Sequence, residues 1–206
     1  WSAVLTSAAM LMINIPVSAE EQSQYINGVT QINGYTEFEQ PQVIENQDMA
    51  QLGYSDIRAY EIENAGELAW FVQHFYAGDL ETQNVSLADN IDMSALAAYS
   101  WTPLGYYNVE TQTGKSYDGV FDGNGYSISN IILNQINGVD LVSKVSEEQA
   151  AVLGTQPIEN IAQNALAGVF GYIGSAGHVT ELKLENTSIT SNADAGVLTG
   201  RNEGSI

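Results

Sequence analysis

The feature that most constrains this 206-residue chain is a glycine-punctuated phrase written twice. "AGVFGYIGSAGHVTELKLENTSI", Ala167 to Ile189, is followed closely by "AGVLTGRNEGSI", Ala195 to Ile206. Ala167 to Ala195 is a step of 28 residues and Val179 to Ile206 a step of 27, so one template recurs at a nearly constant period. Its internal spacing also recurs: Val179, Leu182 and Leu184 are separated by 3 and then 2, as are Ile128, Ile131 and Leu133. A period of this length suits a solenoid coil, whose turns place apolar side chains inward at matching positions. A propeller blade, at about 40–45 residues, is longer. Gly168, Gly171, Gly177, Gly196, Gly200 and Gly204 fall where such coils bend.

Upstream, "DIRAYEIENAGELAWFVQHFYAGD" predicts a short strand at Ile57, Ala59 and Ile62, then a helix. Asn64 and Glu67 have the spacing of a capping box, in which the Asn side chain accepts an orphan N–H and the Glu reaches back. Leu68, Phe71, Val72 and Phe75 form one apolar stripe, and Gly78 supplies a stop. Short alternating strands follow at Val85–Leu87, Ile91–Met93 and Val120–Leu133. They are divided by Asp89-Asn90, Pro103, Gly105, Asp118-Gly119, Asp122-Gly123 and Asn124-Gly125. Strands this short need neighbours to pair their backbone groups.

The chain divides into three stretches. Residues 1–19 read as a secretory signal peptide clipped at its start: an apolar run from Ala3 to Ile15, Pro16, then Ser18 and Ala19 ahead of Glu20 and Glu21. That run is too short to span a bilayer. Residues 20–56 are polar, with turn-forming Asn27-Gly28 and Asn33-Gly34 pairs, and suit a linker or hairpin. Residues 57–206 are the repeat domain, interrupted at about 134–166, where Ser146, Glu147, Glu148 and Leu153 suit a short helix ended by Gly154 and Pro157.

"ENAGELAWFVQ", "NVSLADNIDMSA", "WTPLG", "FDGNGYSISNIIL", "AGVFGYIGSAGHVTELKLEN" and "AGVLTGRNEGSI", in that order, resemble the repeat region of bacterial surface proteins with GLUG motifs. The usual copy there reads close to G-G-L-V-G-x-N-x-G-x-I. Ala195 to Ile206 matches it with Ala for the first Gly and Thr199 inserted; Ala167 to Val179 lacks the Asn. The resemblance implies an all-β, right-handed parallel β-helix with a short N-terminal capping helix, in an adhesin-like protein on or released from the cell. It implies no single activity. Similar repeats accompany immunoglobulin-A-cleaving zinc peptidases, but H-E-x-x-H is absent and the only histidines are His74 and His178.

Charge narrows the partners. Against 25 Asp and Glu stand 5 Lys and Arg, a net charge of −20, which repels nucleic acid and anionic membranes within a Debye length. Host or cell-surface glycan or protein remains. The absence of cysteine removes disulfides and thiolate metal sites. Asp118 and Asp122 are the nearest to a glycosidase pair, yet each precedes Gly, where Asp is an ordinary turn former. Arg58, Lys115, Lys144, Lys183 and Arg201 are too scattered to meet a uronate. "DGNGYS", Asp122 to Ser127, lacks the alternating acids of a calcium loop. No catalytic, cofactor or metal residue is therefore assigned. Trp101, Tyr106 and Tyr107 offer aromatic faces for carbohydrate, with Trp101 also suited to the core. The expected role is a structural or adhesive module of an exported surface protein. The alternative is the non-catalytic substrate-binding region of a larger secreted glycan-active enzyme or peptidase.

Overall fold

The computed structural model describes residues 24–32, 35–51, 53–78, 80–136, 141 and 165–206. The signal-like residues 1–19, the Asn33-Gly34 pair, Lys144 and the helix expected at Ser146 to Leu153 lie outside the described residues.

Strands β1 (Gln24–Ile26), β2 (Val29–Ile32) and β3 (Tyr35–Phe38) form an antiparallel sheet, and Asn27 and Gly28 make its first turn at φ of 53° and 76°. Then come β4 (Gln42–Glu45), α1 (Gln47–Gln51), β5 (Arg58–Ile62) and α2 (Ala65–Ala77). Helix α2 begins where its caps dictate. Asn64 Oδ1 accepts from the Glu67 N–H at 3.0 Å, and Glu67 accepts from the Glu63 N–H at 2.6 Å. Leu68, Phe71, Val72 and Phe75 are all buried, while Trp70 and His74 stack on each other, ring centroids 3.6 Å apart, on the half-buried outer side.

The remaining elements are β6 (Asn84–Leu87), β7 (Ile91–Asp92), a 3-10 turn (Met93–Leu96), β8 (Tyr106–Asn108), β9 (Thr113–Lys115), β10 (Val120–Asp122), β11 (Ser127–Ser129) and β12 (Ile132–Asn134). After the insertion come β13 (Phe170–Ile173), β14 (His178–Thr180), β15 (Lys183–Glu185), β16 (Ser188–Thr190) and β17 (Thr199–Asn202). Parallel registers align Val85 with Phe121 and Val179, Ile91 with Ile128 and Leu184, and Leu133 with Ile189. These residues, with Tyr117, Phe170 and α2, surround one core.

This arrangement corrects the expected all-β, single right-handed parallel β-helix. Among the described residues the strands fall into six separate sheets of two to five strands, and no closed solenoid is formed. Strands pair antiparallel in three places, β1–β2–β3, β4–β5 and β8–β9, and an isolated antiparallel bridge joins Asn108 to Ala165. Among the described residues two α-helices are present rather than one cap. The physical reason lies at the corners. Left-handed residues such as Asn124 (49°), Asn130 (59°), Glu181 (50°) and Asn186 (49°) stand between three-residue strands, interrupting each ladder before it can continue. Tight turns then fold other strands back on themselves. Val179 and Ile206, equivalent in the repeat, also differ in environment: Val179 is 2% exposed and Ile206 63%.

One inward corner carries a defect. The β12–β16 register sets Thr187 beside buried Ile131, and its Oγ1 is buried without a hydrogen-bond partner among the described residues. An unmet hydroxyl costs roughly 1–3 kcal/mol. Thr187→Val keeps the shape and removes the hydroxyl, so urea denaturation is expected to show a gain of about 1 kcal/mol. A loss of stability would mean that the hydroxyl finds a partner in solution.

Candidate functional site

The most elaborated surface cluster is built from β8, β13 and β17. Two glycines bring these elements together. Gly105 has φ of 79°, and a Cβ there would lie 2.4 Å from the Tyr172 carbonyl oxygen; one on Gly171 would lie 2.2 Å from the Gly105 oxygen. Only bare backbone allows that approach, and it sets Tyr107 edge-on to Tyr172, centroids 5.6 Å apart. In the β13–β17 ladder Tyr172 pairs with Arg201, so the guanidinium lands over both rings, 4.0 Å from the Tyr107 centroid and 5.0 Å from that of Tyr172.

Glu203 completes the cluster. It accepts from Tyr172 Oη at 2.7 Å and from Arg201 Nε at 3.0 Å, with a further contact to Arg201 Nη2. The shared proton explains the titration. Ionising Tyr172 would lose a hydrogen bond and set two negative charges together, so the phenol is raised above its usual value. The Glu203 carboxyl is lowered by the hydrogen bonds from Tyr172 and then Arg201. Glu203→Gln is accordingly expected to bring Tyr172 ionisation down toward an ordinary phenol value of about 10 in an NMR pH titration. An unchanged titration would mean the bond is not made in water.

The neighbouring hairpin is also anchored. Lys115 on β9 donates from Nζ to the Phe75 and Gly78 carbonyls at 2.6 and 2.9 Å and pairs with Glu81 at 2.7 Å, placing a cation at the C-terminus of α2. Tyr76 Oη donates to the Pro103 oxygen at 2.5 Å, and its ring stacks near Tyr106, centroids 6.2 Å apart. Tyr106 and Tyr107 are therefore half-buried at the surface and held in place. Trp101 is not with them. It is 4% exposed and donates from Nε1 to the Val169 oxygen at 3.0 Å, so it belongs to the core.

The other sequence candidates have structural partners. Asp118 accepts from Ser116 Oγ at 2.5 Å and from the Ala176 N–H at 3.3 Å. Asp122, 5% exposed, accepts from the Asn124 N–H at 2.8 Å and from Asn46 Nδ2 at 3.4 Å. His74 Nδ1 lies 2.8 Å from the Trp70 oxygen, and burial lowers the imidazole below its usual value. His178 Nδ1 lies 2.5 Å from Ser205 Oγ. Arg58 pairs with Asp56, and Lys183 donates to the Gly125 oxygen at 2.5 Å. Every described cation is thus engaged locally, leaving the acidic surface otherwise uncompensated. Among the described residues no group of three or more His, Asp or Glu could hold a metal ion. A shallow cleft beside Leu141, lined by Met93, Leu96, Tyr99 and Trp101, has room only for a water-sized guest.

Sequence reasoning reached Tyr106 and Tyr107 but not Tyr172, Arg201 or Glu203. The signal was the repeat itself. Thr199 widens the step between copies, which brings Arg201 opposite Tyr172, 29 residues earlier, where the flanking pairs Ala167 with Ala195 and His178 with Ser205 are 28 and 27 apart.

The fold and this face define an acidic protein of small parallel and mixed sheets with an arginine–tyrosine surface cluster. Halomucin of Haloquadratum walsbyi (strain DSM 16790 / HBSQ001) is 28% identical over 149 residues, 71% of this chain. The chain spans about 1% of that protein's length. No protein-family model matches, and no solved structure matches significantly. Among the described residues no helix is long and apolar enough to cross a membrane.

Proposed function

We propose that this chain is a non-enzymatic module of an exported surface or extracellular protein, and that its role is structural and adhesive. The observation that carries this reading is the halomucin similarity, which spreads over 71% of this chain yet occupies 1% of halomucin, as a module within a much longer polypeptide would. The charge of −20 fits exposure to water on all sides, since it keeps such modules apart from one another and from polyanions. The signal-like residues 1–19 and the GLUG-like phrase at 195–206 belong to the same reading.

Adhesion is assigned to the face carrying Tyr107, Tyr172 and Arg201. Its aromatic rings are pre-oriented, and the chain's net charge of −20 suits a neutral or cationic glycan or protein better than an acidic one. Export is tested by fusing residues 1–19 to a reporter that is active only outside the cytoplasm. Reporter activity is expected; a fusion retained inside the cell contradicts export. Adhesion is tested on glycan and protein arrays with the full chain and with Tyr107→Ala. Binding that survives this substitution unchanged would remove the face from the role.

A further inference from the structure

The chain contains two Asn-x-Ser triplets, Asn84-Val85-Ser86 and Asn186-Thr187-Ser188, which is the acceptor pattern for N-linked glycan on exported proteins. The fold separates them sharply. Asn84 lies in β6 and is buried, its Oδ1 accepting from the Val120 N–H at 3.0 Å and its Nδ2 donating to the Asp56 and Arg58 oxygens at 3.0 and 3.1 Å. Its amide nitrogen has both hydrogens engaged, and a glycan there could not coexist with the β5–β6 pairing.

Asn186 is the opposite case. It sits exposed at the corner between β15 and β16, with φ of 49°. The flanking registers, Ser129 with Glu185 and Ile132 with Ser188, set it beside Asn130, which occupies the equivalent corner at 59°. Asn suits both corners because its short polar side chain tolerates left-handed backbone. The two amides differ in use. Asn130 Nδ2 donates to Asp92 Oδ1 at 2.8 Å, tying one corner to the next, whereas Asn186 makes no side-chain hydrogen bond among the described residues. The backbone therefore accounts for Asn at 186 but not for an unengaged amide. Nor does it account for the third position of the triplet: Ser188 is exposed and the ladder engages its backbone, the N–H donating to the Ile131 oxygen at 2.9 Å, rather than its hydroxyl, while Asn130 is followed by Ile131 and Ile132.

We propose that Asn186 is an N-glycosylation site. Asn186 Nδ2 displaces the phosphate leaving group at the anomeric carbon of a polyprenyl-phosphate-linked oligosaccharide. A C–N bond forms as the anomeric C–O bond breaks, and the amide proton departs with the lipid phosphate. The glycan projects from the β15–β16 corner into solvent. This inference rests on the export reading, because the donor acts on exported chains.

The test produces the full chain, behind a leader of proven export, in a host that N-glycosylates its exported proteins, and reads the purified product by peptide mass mapping. The peptide holding Asn186 is expected to carry a hexose-containing mass in most molecules. Asn186→Gln and Ser188→Ala should abolish it and Ser188→Thr should retain it, and the Asn84 peptide should be bare. An exported product with bare Asn186, from cells whose own glycoproteins are modified, would overturn the proposal. A parallel arm carries only the chain's own residues 1–19. Retention there counts against export alone, since the first arm reads Asn186 regardless.

Discussion

Gly66→Ala is expected to destabilise the protein by about 3 kcal/mol, although alanine is the better helix former. Gly66 lies in the first turn of α2, where propensity alone favours alanine by about 1 kcal/mol. The packing decides against it. A Cβ on Gly66 would lie 1.9 Å from the Gly28 oxygen and 2.1 Å from its carbonyl carbon, both backbone atoms that cannot turn aside. Gly28 is equally confined: its φ is 76°, and a Cβ would meet Asn64 Oδ1 at 1.8 Å. Through this contact the Gly66 N–H donates to the Asn27 oxygen at 3.0 Å, docking the β1–β2–β3 sheet on the start of α2. Urea denaturation together with limited proteolysis within residues 24–38 is the check. A gain in stability would mean that the sheet does not dock there.

The second large effect is expected at Tyr117. Its ring is fully buried and meets Phe71, Phe75, Phe121 and Phe170, with centroids 5.9 to 6.5 Å away. Tyr117→Ala removes the hub of this cluster and should cost about 4 kcal/mol. Tyr117→Phe keeps the ring but removes the hydroxyl that serves the Gln83 and Val120 oxygens at 2.9 and 3.0 Å, for a loss of about 1–2 kcal/mol. Burial also raises the phenol well above its usual value. The unfolded chain ionises near pH 10 while the folded one stays neutral, so the stabilisation is intact below about pH 10 and is lost as pH rises beyond it. Tyr117→Phe should flatten that alkaline decline. A decline equally steep in the variant would place its origin elsewhere.

Some of this organisation was legible in residues. Asn64, Glu67 and the stripe from Leu68 to Phe75 encode α2 locally, because capping and helical period need no distant partner. The ladders were harder to place. The 3-then-2 spacing suggested matching Ile128 with Val179, yet the structure pairs Ile128 with Leu184 and Phe121 with Val179. Leu184, Thr187 and Ile189 repeat the same spacing as Val179, Leu182 and Leu184, so a slip by one corner satisfies the pattern equally well. Thr187 at an inward position then hides the correct match. The separate sheets and the docked N-terminal sheet depend on contacts such as Gly28 with Gly66, which join residues 38 apart and leave no local signature beyond the glycines themselves. Within the surface cluster, Tyr107 was visible as an aromatic, but its alignment with Arg201 follows from the register of β13 with β17.

Protease shaving of intact cells that express the full natural polypeptide tests surface display most directly. Peptides from residues 57–206 should be released into the medium before any cytoplasmic protein leaks. Their absence from the shaved fraction, with recovery only after lysis, would contradict an exported surface module.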